Sequence, residues 1–169
     1  MTKDLQIIKE LQSRFEFHYK ISNDKVTYLR GFQSSKKIEN EDLELIGELT
    51  SLEWLYLSSN KITEMQGLSK LTGLKYLNLS FNNITEIKGL DKLTKLEELD
   101  LCRNKITEIK GLDNLNDLEE LYLTDNQITE IKGLDGLTSL RHIGFYDNNI
   151  PKSQIDKFKT NHPKINVFF

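Results

Sequence analysis

One cysteine, two prolines and one tryptophan are all that 169 residues hold of these types. The lone Cys102 excludes an internal disulfide, which favours a reducing, intracellular setting. There is no C-x-x-C or H-E-x-x-H signature, and His18, His142 and His162 fall in different parts of the chain, so a zinc site is not expected. No stretch approaches the roughly 18 apolar residues of a membrane span. The opening MTKDLQIIKELQSRF is charged throughout and lacks the apolar segment of a secretory signal. A cytoplasmic protein with no membrane partner is the expectation. A large charge of one sign is also missing: 29% of residues are charged, yet the net charge is −3. That balance gives no general attraction to nucleic acid.

The small net charge is unevenly spread. Residues 1–48 carry 8 basic and 9 acidic side chains, residues 49–150 carry 11 and 16, and residues 151–169 carry 4 and 1. The acidic middle coincides with a repeat. Asn60, Asn82, Asn104, Asn126 and Asn148 recur every 22 residues. Leucines keep the same phase at Leu55/Leu57, Leu77/Leu79, Leu99/Leu101 and Leu121/Leu123, then Ile143/Phe145. After each asparagine come Ile62/Met65, Ile84/Ile87, Ile106/Ile109 and Ile128/Ile131, and then Gly67-Leu68, Gly89-Leu90, Gly111-Leu112 and Gly133-Leu134. The unit reads L-x-x-L-x-L-x-x-N-x-I-x-x-I-x-G-L-x-x-L-x-x.

Repetition at this period implies stacked units that bury apolar faces against one another. The L-x-L alternation makes a short strand with one face inward, and stacking sets such strands side by side. The asparagine stands where the chain leaves the strand, and its amide can bond backbone groups left unpaired in the bend. The glycine allows a left-handed turn on the way back.

This pattern resembles the leucine-rich repeat, in particular its 22-residue class, which includes the repeat-type regulatory subunit of protein phosphatase-1 and related intracellular adaptors. The resemblance covers residues 43–150. It implies an α/β solenoid: a right-handed coil with a parallel concave β-sheet and a 3₁₀ or irregular convex side.

The flanks are expected to seal the ends of the stack. Residues 1–48 are assigned to an N-terminal cap. It comprises an amphipathic helix over 2–14, a hairpin turning at Ser22-Asn23-Asp24, and a degenerate repeat containing Leu43, Ile46 and Leu49. Residues 49–150 hold five repeats. Residues 151–169 form a C-terminal cap, with a helix over 152–161 carrying Ile155 and Phe158 inward and a last strand over 165–169.

Strand positions alternating with the leucines face away from the core. They are Trp54 and Tyr56, Tyr76 and Asn78, Glu98 and Asp100, Glu120 and Tyr122, then His142, Gly144 and Tyr146. Ser59, Phe81, Arg103, Asp125 and Asp147 edge this face. The repeat framework requires none of the aromatics, and aromatics on an open strand face are common interface anchors. Glu98, Asp100 and Glu120 would repel one another unless a cation or basic partner satisfies them. Trp54, Tyr56, Tyr76, Asn78, Glu98, Asp100, Glu120, Tyr122, His142 and Tyr146 are the candidate partner-binding residues, and the five asparagines a structural ladder. The outer columns, Glu64/Glu86/Glu108/Glu130 and Lys88/Lys110/Lys132, suit a solvated surface.

Catalysis is not expected. Glu98 and Glu120 form a carboxylate pair, but an open sheet offers no water-excluded pocket. Carboxylates near Cys102 should raise its pKa and keep it un-nucleophilic. No cofactor or metal is expected. The composite expectation is a non-catalytic, monomeric protein-interaction module whose concave face holds a protein or peptide with a basic segment. Regulation of a Ser/Thr phosphatase, as the resemblance implies, and self-assembly through terminal strands are the alternatives.

Overall fold

A computed structural model describes residues 2–31 and 36–169. Helix α1 (Lys3–Gln12) starts at Thr2, whose hydroxyl accepts the Leu5 N–H, and buries Ile7, Ile8 and Leu11. The hairpin β1 (Phe17–Ser22) and β2 (Lys25–Gly31) turns through Asn23 and Asp24, both at positive φ. Two left-handed residues match the twist of paired strands, and Asn and Asp tolerate that conformation. Helix α2 (Asn40–Gly47) follows.

Then come five strands of three residues each: β3 (Trp54–Tyr56), β4 (Tyr76–Asn78), β5 (Glu98–Asp100), β6 (Glu120–Tyr122) and β7 (His142–Gly144). Helix α3 (Lys152–Asn161) and β8 (Asn166–Phe168) end the chain. Among the described residues the strands form one sheet in sequence order. Only β1 and β2 pair antiparallel; every later pair is parallel and in register, Leu55 beside Leu77, Leu99, Leu121 and Ile143 in turn. The architecture is an α/β solenoid.

The inward leucines build one continuous core. Leu55, Leu77, Leu99, Leu121 and Ile143 are wholly buried, as are Leu57, Leu79, Leu101 and Leu123 in the following turns. Each such side chain contributes about 1.5–3 kcal/mol of transfer free energy, and its neighbours come from adjacent repeats.

The asparagines tie these repeats together. Asn104 Oδ1 accepts the Ile84 N–H of the preceding repeat at 3.0 Å. Its amide donates to Leu79 O in that repeat and to Leu101 O in its own, both at 3.0 Å. Asn82 and Asn126 repeat the arrangement, bonding Ile62 N and Leu57 O, and Ile106 N and Leu101 O. The series starts with Ile38 N–H donating to Asn60 and ends with Ile128 N–H donating to Asn148.

The return segments differ along the stack. The first contains a 3₁₀ turn, Gln66–Leu68, and the later ones are irregular. Gly111 illustrates the later form: φ is +72° and a Cβ there would lie 2.6 Å from Ile87 O. Gly67 departs from the expected left-handed turn. It lies against α2, where a Cβ would stand 2.7 Å from the Leu43 carbonyl carbon, so close approach rather than φ demands glycine. Along the outer side Lys132 bridges Glu108 (2.9 Å) and Glu130 (3.2 Å), and Lys88 lies between Glu64 and Glu86. Glu48 is held down to about 2 by hydrogen bonds from Lys3 and Lys70.

Candidate functional site

The open sheet face carries two columns of side chains, because residues two apart on a strand share a side. The parallel register sets Trp54, Tyr76, Glu98, Glu120 and His142 in one column. Tyr56, Asn78, Asp100, Tyr122 and Gly144 make the other. Trp54 is 38% exposed, and Tyr56, Tyr76, Glu98, Asp100, Glu120, Tyr122 and His142 are half-buried. Gly144 is buried, and Tyr146 lies beyond β7, where it is exposed.

The face extends further than the 22-residue period indicates. Tyr28 and Arg30 of β2 pair with Trp54 and Tyr56, an offset of 26 residues that conceals them from the repeat pattern. The available signal was the alternation of Tyr28 and Arg30 about the buried Leu29. At the other end Phe168 of β8 pairs with Gly144 and stacks on His142, rings parallel to 11° and 6.2 Å apart.

The aromatics converge at the N-terminal end. The Tyr28 and Tyr56 rings are 5.4 Å apart, and those of Tyr56 and Tyr76 are 4.5 Å apart. Lys75 lies over the Trp54 ring and Arg30 over the Tyr56 ring. Tyr122 and Tyr146 do not join this cluster; the Tyr122 hydroxyl donates to Glu120. That bond and partial burial push the Tyr122 phenol up, and burial raises those of Tyr56 and Tyr76, so all three stay protonated donors at neutral pH.

Next to the aromatics lie the acids. Asp100 accepts from Asn78 Nδ2 (2.8 Å) and from the Cys102 N–H (2.9 Å). Within the described residues Glu98, Asp100 and Glu120 form no ion pair, whereas every glutamate of the outer column does. Partial burial, then the charges of Glu120 and Asp100, raise the Glu98 pKa. A carboxyl that holds its proton more tightly when folded weakens the fold while ionised. Glu98→Gln should therefore raise the melting temperature at neutral pH, and thermal scans should show the gain shrinking as acid protonates wild-type Glu98. Cys102, pushed up to about 12 by burial and by Asp100, is an inert thiol.

A column at the rim carries strain. Ser59, Phe81, Arg103, Asp125 and Asp147, each just before a ladder asparagine, all have φ between +53° and +61°. Asp accepts the left-handed region, but bulky side chains there are outliers. Phe81 is 48% exposed with the Arg103 guanidinium 4.6 Å from its ring centroid, and Arg103 pairs with Asp125 at 3.5 Å. Phe81→Asn should raise stability by about 0.5–1 kcal/mol, the relief of strain outweighing a weak exposed cation–π contact. Urea unfolding would measure it.

Among the described residues no group of His, Cys, Asp or Glu could hold a metal ion, and no helix is long and apolar enough to cross a membrane. Strands β3–β7, the asparagine ladder and the columns those strands carry are thus products of one repeated unit. The family described as Leucine Rich repeats (2 copies) matches residues 50–92 and 72–114, and the family described as Leucine rich repeat matches residues 94–150. The chain belongs to the leucine-rich-repeat family.

Solved leucine-rich-repeat structures agree. A leucine-rich-repeat protein of Leptospira interrogans is similar with a TM-score of 0.69 and 31% identity, over 75% of this chain and 33% of that one. Internalin C2 of Listeria monocytogenes is similar with a TM-score of 0.55 and 30% identity, over 69% of this chain and 51% of that one. The chain thus spans about a third of one relative and about half of the other. No curated protein matches it significantly in sequence.

Proposed function

We propose that this leucine-rich-repeat protein is a non-catalytic docking module that holds a protein partner with a basic segment against the open face of β2–β7. One observation carries the reading. Three carboxylates, Glu98 and Asp100 on β5 and Glu120 on the adjacent β6, form no ion pair among the described residues and adjoin an aromatic cluster that the repeat framework does not require. Leucine-rich repeats generally serve protein–protein interaction, and no catalytic family matches the chain.

The test is affinity capture with mass spectrometry, run beside a folded Tyr56→Ala/Tyr76→Ala variant. A partner bound by the wild type should lose about 30-fold or more in affinity, the effect of removing an interface anchor. Its binding should also weaken as salt rises. A partner held equally by both proteins would remove the face from the reading. Regulation of a Ser/Thr phosphatase is a narrower form of the same reading, and phosphatase activity in the captured material would support it.

Self-assembly is favoured by a separate observation. Among the described residues β8 pairs on one side only, with β7, and Phe168 within it and Phe169 after it are exposed. A mass that stays monomeric across a concentration series would dismiss it.

A further inference from the structure

The geometry points to a proline-rich segment in the polyproline II form as the occupant of this face, lying across the strands with a basic residue one turn beyond its prolines. The inference rests on the docking reading above and adds the conformation and direction of the bound segment.

The first support is the order of chemistry across the sheet. Tyr28, Tyr56 and Tyr76 zigzag over β2, β3 and β4 with rings in contact, and Trp54 stands exposed among them. The next two strands change character to Glu98, Asp100 and Glu120. A segment crossing at right angles to the strands therefore meets aromatic rings first and then carboxylates that form no ion pair among the described residues. Aromatic-lined surfaces are the recurring receptors of polyproline II segments. The carboxylates select a basic side chain by charge and fix which end lies over them.

The second support is spacing. Parallel strands stand about 4.8 Å apart, so every second strand recurs at about 9.6 Å. A polyproline II helix completes three residues in about 9.3 Å. A residue over Trp54 and Tyr56 on β3 thus places the one three positions later over Glu98 and Asp100 on β5. An extended β-segment shows the same side every 6.6–6.8 Å or so, which matches neither one strand step nor two.

The third support is hydrogen bonding. A proline-rich backbone has carbonyl acceptors and few N–H donors. The face supplies complementary donors in the Trp54 indole N–H and the Tyr56 and Tyr76 hydroxyls, whose raised pKa values keep their protons in place.

Fluorescence anisotropy with the full chain and two synthetic peptides tests this. One probe is proline-rich and ends in arginines; the other is a glycine–serine peptide of equal length with the same arginines. The proline probe should bind at least about tenfold more tightly, because its bound form is already populated when free. Tyr56→Ala and Tyr76→Ala, each checked for folding by thermal unfolding, should abolish that difference. Tyr56→Phe, which keeps the ring, should retain most of it. Glu98→Gln should flatten the salt dependence common to both probes. Equal binding of the two probes to the wild type would overturn the polyproline inference while leaving docking on this face intact, as would binding of neither. A proline probe that binds the wild type and both alanine variants equally would overturn the inference and the docking reading together.

Discussion

Asn104→Ala should lower stability by about 2–3 kcal/mol, because one buried N–H loses its partner while two buried carbonyls each lose one of two donors. Asn104 lies mid-stack and is 8% exposed. Its removal strands the Ile84 N–H, whereas Leu79 O keeps its bond from Asn82 and Leu101 O keeps its bond from Asn126. Each buried group left unsatisfied costs about 1–3 kcal/mol, and water admitted to the small cavity offsets part of the total. Asn148→Ala should cost half as much or less. It makes equivalent bonds to Ile128, Leu123 and Phe145, but it is only half-buried, so solvent can replace it. Urea titrations of both variants give the comparison. Equal, small losses would show that leucine packing alone holds the stack.

Arg14→Ala should cost about 3 kcal/mol, the typical penalty for leaving a buried charge without its counterion. Asp42 is 3% exposed. One of its oxygens accepts the Glu39 N–H at 3.0 Å and closes the start of α2, and the other is met by the Arg14 guanidinium. Removing the guanidinium leaves a carboxylate shielded from water beside the helix start. Adding Asp42→Asn should recover part of the loss, since the neutral amide can still accept the Glu39 N–H while the stranded charge disappears. Chemical denaturation of the two variants tests the pair. Hydrogen exchange should locate the weakening in α1 and α2, because each repeat depends mainly on its neighbours.

How much of this was legible in the sequence depends on whether one unit or two distant segments specify the feature. The five strands, their register and the inward leucines follow from the 22-residue period, since each copy restates the same constraint. The Trp54 and Tyr56 columns follow from the same alternation. Features made by non-repeating segments were less visible. Residues 36–49 keep the phase of the repeat, with Ile38 N–H bonding Asn60 as Ile62 N–H bonds Asn82, but the pattern did not show that their return segment is the helix Asn40–Gly47. The i, i+3 spacing of Leu43 and Ile46 suits a helical turn as well as a return segment. The Arg14–Asp42 contact joins positions that no local pattern relates. Tyr28 escaped notice because its strand is offset from the next by 26 residues. The left-handed residue before each asparagine left no mark, since Ser59, Phe81 and Arg103 share neither size nor charge. The pairwise contacts of the face, such as Tyr122 with Glu120, depend on side-chain rotamers that periodicity does not specify.

The asparagine bonds point one way. Each ladder residue takes an N–H from the segment before it, never from the one after, so each unit waits for its successor to satisfy that amide. On the ribosome the stack would consequently lock one unit behind the emerging chain. Ile84, for example, remains provisional until Asn104 has been made. Growth of such a coil resembles a zipper whose teeth close only when the next tooth arrives.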